Sequence, residues 1–119
     1  MKKTLILGAT DRQDRYAYIA ANMLTRYGHP IVPFGKHPGK VAGEDIVVDF
    51  PDKEEIDTVT LYMNPFNQVP FIDKILELKP KRIIFNPGTE NPDFEKRAEA
   101  QGIEAIEGCT LVMLGSGQY

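Results

Sequence analysis

Thr4-Leu5-Ile6-Leu7-Gly8, then the polar Thr10-Asp11-Arg12-Gln13-Asp14-Arg15, then Tyr16 through Phe34, is the stretch whose reading decides the fold. Its opening run is apolar or β-branched throughout and ends at a glycine, the pattern of a strand buried on both faces of a parallel sheet. Beyond the polar segment, Tyr16, Ile19, Ala20, Met23, Leu24 and Tyr27 recur at helical spacing and mark one apolar stripe, with Asp14 as its expected cap. Gly28 and Pro30 supply the stop, and Ile31-Val32-Pro33-Phe34 reads as a second strand. Strand, helix and strand within about 30 residues form a βαβ unit.

The alternation continues outward from that unit. Gly35 to Lys40 is a loop dense in turn formers. Asp45 to Asp49 leaves two readings open, a short edge strand or a packed loop. Thr58 to Tyr62 is the third clear strand. Asn64-Pro65 has the form of a helix cap with proline at the first helical position, although Pro70 also allows a start at Asn67. Val69, Ile72, Ile75 and Leu76 are the expected buried face of that helix. Arg82 to Phe85 is the fourth strand. Asn91-Pro92 repeats the cap signature for a helix running to Gln101, with Gly102 as stop, and Ile103 to Glu107 is the fifth strand. The tail from Gly115 to Tyr119 reads as loose. The expectation is one α/β domain over residues 1–119, Rossmann-like and doubly wound. Its mainly parallel five-stranded sheet should have the order 3-2-1-4-5, with helices on both faces.

Composition narrows the function classes. A net charge of −3 with no basic stripe argues against nucleic acid as a partner. No run reaches the ~20 apolar residues that span a bilayer, and the apolar run after Lys2-Lys3 is too short for a signal peptide. The single cysteine allows no internal disulfide, so the expected location is the cytoplasm. The expected partner is a small nucleotide; a homodimer or a partner enzyme subunit stays open.

In open parallel sheets a ligand sits outside the carboxyl ends of the strands, where the strand order reverses. Gly8 to Tyr16 leads from a central strand into a helix, so its free amides and the helix dipole would favour an anion. Gly8 permits close backbone approach, Thr10 adds a hydroxyl, and Arg12 and Arg15 add charge-assisted donors. No G-x-G-x-x-G follows the first strand, which counts against an ordinary dinucleotide fingerprint. After the second strand, where NAD-type sites place an acid, the chain has Gly35-Lys36-His37. Cations there suit a phosphorylated ribose, as in coenzyme A or NADP, while Lys36 and Lys40 also read as ordinary surface lysines. Asn86-Pro87-Gly88-Thr89 faces the same crevice, either closing over a ligand or turning into the Asn91 cap.

Catalytic groups do not assemble on this pattern. His29 and His37 lack neighbouring ligands at zinc spacing, and no base can be placed beside Cys109. The expectation is therefore no metal site and no catalytic residue.

The order and spacing of these pieces resemble a known family. Leu7-Gly8-Ala9-Thr10, Ile31-Val32-Pro33-Phe34 before Gly35-Lys36, Ile56-Asp57-Thr58-Val59 leading to Asn64-Pro65, and Asn86-Pro87-Gly88 before Glu90-Asn91 carry the likeness, with Glu107-Gly108-Cys109 at its end. The chain resembles the small stand-alone CoA-binding proteins, whose domain is similar to the N-terminal nucleotide-binding domain of the succinyl-CoA synthetase α subunit. The resemblance implies that Gly8, Ala9, Thr10, Arg12, Arg15 and Tyr16 meet the CoA phosphates, that Lys36 lies near the adenosine end, and that Asn64 with Pro65 lines the adenine side. Gly88 joins this set from the crevice reading. Gly35-Lys36-His37-Pro38 stands where the family usually has Asn-Pro, and Asn86-Pro87-Gly88 replaces the commoner Gln-x-Gly. The synthetase's phosphohistidine belongs to a second domain that this chain lacks, so ligase activity is not implied. The expected function is non-catalytic binding of CoA or acyl-CoA. NADP, or an interaction module with a vestigial site, is the alternative.

Overall fold

Three strands with almost no exposed atoms form the centre of the molecule in a computed structural model that describes all 119 residues. They are β1 (Thr4–Leu7), β5 (Thr58–Leu61) and β6 (Arg82–Phe85), and every residue in them is buried. The remaining elements are α1 (Tyr16–Arg26), β2 (Ile31–Phe34), the hairpin β3 (Gly39–Val41) and β4 (Glu44–Ile46), α2 (Pro65–Gln68), α3 (Ile72–Leu78), α4 (Pro92–Ala100), β7 (Glu104–Glu107) and α5 (Thr110–Gly115). Main-chain pairing is parallel across the five-stranded sheet, in the order β2-β1-β5-β6-β7. The α/β doubly wound, Rossmann-like class expected from the sequence is the class observed.

The strand order differs from the expectation. Counted along the chain, the five strands run 2-1-3-4-5, because the third strand pairs with β1 on the side away from β2. The place outside β2 is taken by a single bridge, Phe34 to Val47. The ambiguous segment thus resolves into a hairpin strand, Glu44–Ile46, followed by that one bridge. Pro33 fits this outer position. Its carbonyl faces outward, where the Val47 amide donates to it at 2.9 Å, so the missing N–H removes no bond to β1.

Each face of the sheet carries its own core. Leu5, Leu7, Val59, Leu61, Ile83 and Phe85 pack with Ile75 and Leu76 of α3 and with Phe94 and Ala98 of α4. Ile6 packs on the opposite face with Ala17, Ala21 and Leu24 of α1 and Leu114 of α5. Burying a side chain such as Phe94 contributes about 1.5–3 kcal/mol, and its ring meets Phe85 edge-on at 5.3 Å.

Tertiary packing corrects several local expectations. The buried face of α1 is Ala17, Ala20, Ala21 and Leu24, whereas Tyr16, Ile19 and Tyr27 are exposed. Small residues let the helix sit close to the sheet and rotate the large apolar ones outward. Asp14 does not cap this helix; Arg15 occupies the cap position without a side-chain hydrogen bond. Asn64 does cap α2, its side chain accepting from the Asn67 amide at 2.9 Å, so the helix begins at Pro65 rather than Asn67. Pro70, which has no amide to donate, then breaks the run with a 3₁₀ turn at Val69–Phe71, and Val69 faces solvent. The tail is docked rather than loose. Tyr119 stacks beneath the Arg82 guanidinium, 4.2 Å from the ring centre, and its hydroxyl bonds Thr4.

Candidate functional site

The carboxyl ends of β1, β2, β5 and β6 open onto two cavities that meet at one loop. The larger, about 930 Å³, lies between the loop after β2 and the α2–α3 helical run. The smaller, about 400 Å³, lies between the start of α1 and the loops after β5 and β6. Gly8, Thr10 and Arg12 line both.

The loop from Gly8 to Arg15 is held by unusual clasps. Gly8 and Ala9 both donate their amides to the Phe34 carbonyl, each at 2.9 Å, which ties the ends of β1 and β2 together. Gly35 makes this clasp possible, since a Cβ there would lie 2.2 Å from the Ala9 carbonyl oxygen. The amides of Gly8 and Ala9 are therefore not free for a ligand, contrary to the expectation for these residues. The amides of Thr10, Asp11, Gln13 and Asp14 make no hydrogen bond within the chain. The Thr10 hydroxyl accepts from the Arg12 amide at 3.1 Å and turns the loop outward. What reaches solvent is a short arc of donor groups ahead of α1, the setting in which a helix N-terminus attracts an anion.

The larger cavity has an aromatic wall. Phe34 meets Phe50 and Phe71 edge-on, at 5.5 and 5.1 Å. Phe66 lies on the rim with 85% of its surface exposed, and Val69 beside it with 64%. Lys36, His37 and Lys74 bring positive or titratable groups to the same space, and Asp11 and Asp49 bring carboxylates. Lys36 and Lys74 have no carboxylate partner, whereas Lys40 pairs with Asp45 at 3.0 Å outside the cavity. Lys36 thus belongs to the crevice and Lys40 to the surface.

The smaller cavity is the more polar of the two. Arg15, Tyr16, Asn64 and Gly88 line it together with Thr89 and Tyr62. Beneath it lies a buried network. Asn86 donates to the Thr60 hydroxyl at 2.7 Å and to the Leu61 carbonyl at 2.9 Å, and accepts from the Thr110 amide at 2.9 Å. Gln68 donates to the carbonyls of Met63 and Thr89 at 2.8 Å and accepts from Asn91. These bonds fix the loops after β5 and β6 against each other. Burial pushes the Tyr62 hydroxyl up to about 12, so it stays protonated at neutral pH.

Nine of the ten residues expected from the sequence line one cavity or the other. Pro65 is the exception: it starts α2 but borders neither, and its neighbour Phe66 does so instead. Sequence reasoning missed Val48 to Phe50 and, from the helical run, Asn67, Val69, Pro70, Phe71 and Lys74. The available signal was Phe66, an apolar residue that falls off the buried side of its helical run, whereas Val69 was expected on that side.

A family model described as a CoA binding domain matches residues 2–115. The chain belongs to the CoA-binding domain family. One solved structure similar to this CoA-binding domain, described only as an uncharacterized protein, shares 54% identity over 100% of this chain and 98% of its own, with a TM-score of 0.97. A Thermus thermophilus structure, cell-free ID.343, is 23% identical over 99% of this chain and 90% of its own, at a TM-score of 0.87. A hypothetical protein from Pyrococcus horikoshii OT3 is 23% identical over 97% and 82%, at 0.82. These two share the fold. No protein of curated function matches.

Proposed function

We propose that this CoA-binding domain holds CoA across both cavities as a non-catalytic binding module. The 3′-phosphoadenosine occupies the aromatic cavity, the diphosphate lies over the Thr10–Arg15 loop, and the pantetheine arm enters the smaller cavity, which puts Asn64 beside the arm rather than on the adenine side that the resemblance implies. One observation carries this reading: the loop with unpaired amides and two arginines separates an apolar aromatic space from a smaller, more polar one. That sequence of environments matches a base, a diphosphate and a diamide arm in order. Lys36 and Lys74, neither with a carboxylate partner, suit the ribose phosphate, and Phe66 supplies a face for the base. Asp11 and Asp49 offer acceptors to ribose or adenine donors.

The smaller cavity supports holding rather than transforming the ligand. Its lining has arginines, a threonine pair, an asparagine and two tyrosines, but no carboxylate, histidine or cysteine. Tyr62, held protonated by burial, is unsuited as a general base at neutral pH.

Thermal-shift and calorimetric titrations with CoA, dephospho-CoA and NADPH test the reading. CoA should raise the melting temperature as mass action requires and bind more tightly than either comparator. Lys36→Glu should weaken CoA by about tenfold or more while changing dephospho-CoA by less than threefold, since a charge-assisted bond contributes about 1.5–3 kcal/mol. Equal losses for both ligands would remove Lys36 as the reader of the ribose phosphate. Silence toward CoA would refute the proposal.

A further inference from the structure

From the shape of the smaller cavity we infer that the site reads CoA without reading its acyl group, presenting the sulfur outward past Tyr16. The inference rests on the CoA reading above and adds the ligand class: free CoA and its thioesters alike.

The volume is the first reason. About 400 Å³ is space for an arm and little more, whereas the adenosine side has about 930 Å³. The second is closure. The floor beneath Tyr62 and Thr89 is the buried network of Asn86, Thr60, Thr110 and Gln68, whose polar groups are paired within the protein. A chain pushed inward would break those bonds in a desolvated setting, where each unpaired group is costly. The third is chemistry. Thr10 and Asn64 offer hydrogen bonds that suit the amides of the arm.

The cavity opens to solvent at the start of α1, where Tyr16 borders it with 71% of its surface exposed. An arm leaving there places its sulfur at the surface. Each methylene that a protein buries improves affinity by about fourfold, so acyl length reports directly on whether a buried acyl site exists.

Calorimetric titration with CoA and octanoyl-CoA decides the matter. The two should bind within tenfold of each other. Octanoyl-CoA binding more than tenfold tighter would reveal an acyl pocket, and more than tenfold weaker would show that the sulfur end is closed in; either overturns the inference while leaving CoA binding intact. Failure of CoA itself to bind would instead overturn the CoA reading and this inference with it. A second variant locates the arm. Tyr16→Ala should weaken CoA by about threefold to tenfold and leave adenosine 3′,5′-bisphosphate, which lacks the arm, unchanged; equal effects on both would refute the exit at Tyr16.

Discussion

Replacing Gly35 by alanine tests the clasp that shapes the crevice. The added Cβ would stand 2.2 Å from the Ala9 carbonyl oxygen and 3.1 Å from its carbon, both backbone atoms. A carbon and a carbonyl oxygen need about 3.3 Å, so one of the two loops must retreat by roughly 1 Å. Rotating a side chain cannot relieve the clash. The retreat stretches the two bonds from Gly8 and Ala9 to the Phe34 carbonyl and the bond from Gly35 to the Val47 carbonyl, which now measure 2.9 to 3.0 Å. Weakened hydrogen bonds at about 1 kcal/mol each, with residual strain, come to about 2–4 kcal/mol. For a chain of this length that lowers the melting temperature by about 8–15 °C. Because the Thr10–Arg15 loop starts at the clasp, CoA affinity should fall with it. Urea unfolding and calorimetry on the same sample measure both. Gly115→Ala is the control: nothing lies within 4 Å of its added carbon, and it sits in α5, so stability should hold or rise slightly. A Gly35→Ala protein within 1 kcal/mol of the parent, with unchanged CoA affinity, would refute the argument.

Three further outcomes follow from the packing and the charges. His29 is held below its ordinary value of 6.5 by burial first, then by positive charge that includes Lys2 and Arg82, and its Nδ1 accepts from the Lys2 amide at 3.0 Å. Its folded state prefers the neutral ring, so its contribution is present above pH 6.5 and is lost as pH falls below that; His29→Asn, which keeps an acceptor, should flatten the acid side of the stability profile. Glu95 is raised above 4.5 by burial and by the neighbouring Glu107, so the proton it holds stabilises the fold below that pH and the benefit is lost as pH rises. Glu107→Gln should therefore raise the melting temperature at pH 7 by about 1–3 °C and have little effect at pH 4; the same gain at both would exclude charge as the cause. Asn86→Ala removes three buried bonds at 2.7 to 2.9 Å and leaves their partners unsatisfied. A loss of about 3 kcal/mol or more is expected in denaturant melts, and a loss below 1 kcal/mol would show that the network is not structural.

Much of this protein is legible residue by residue. Thr4-Leu5-Ile6-Leu7 and Arg82-Ile83-Ile84-Phe85 announce strands covered on both faces, because three consecutive apolar residues leave neither side of the strand suited to water. Asn64-Pro65 and Asn91-Pro92 announce helix starts, because a cap bond reaches only three residues ahead. The residues ahead of α1 announce, by position alone, a polar loop leading into a helix. Those readings depend on chemistry within a few residues, and the chain contains it.

What the folded molecule decided is everything set by distant partners. The hairpin at Gly39–Ile46 turns on Ala42 and Gly43, both at positive φ, without the usual asparagine–glycine pair to signal it. Helix α5 begins with the Thr110 amide bonded to Asn86, a partner supplied from the loop after β6, so no neighbouring residue marks its start. Gly8 and Ala9 have free amides as far as local pattern can tell, and only the arrival of Phe34 engages them. The aromatic wall joins Phe34, Phe50 and Phe71 from three separate segments. Local pattern determines which residues become strand, helix or turn; contacts between segments far apart in the chain determine which amides, cations and rings remain for a ligand.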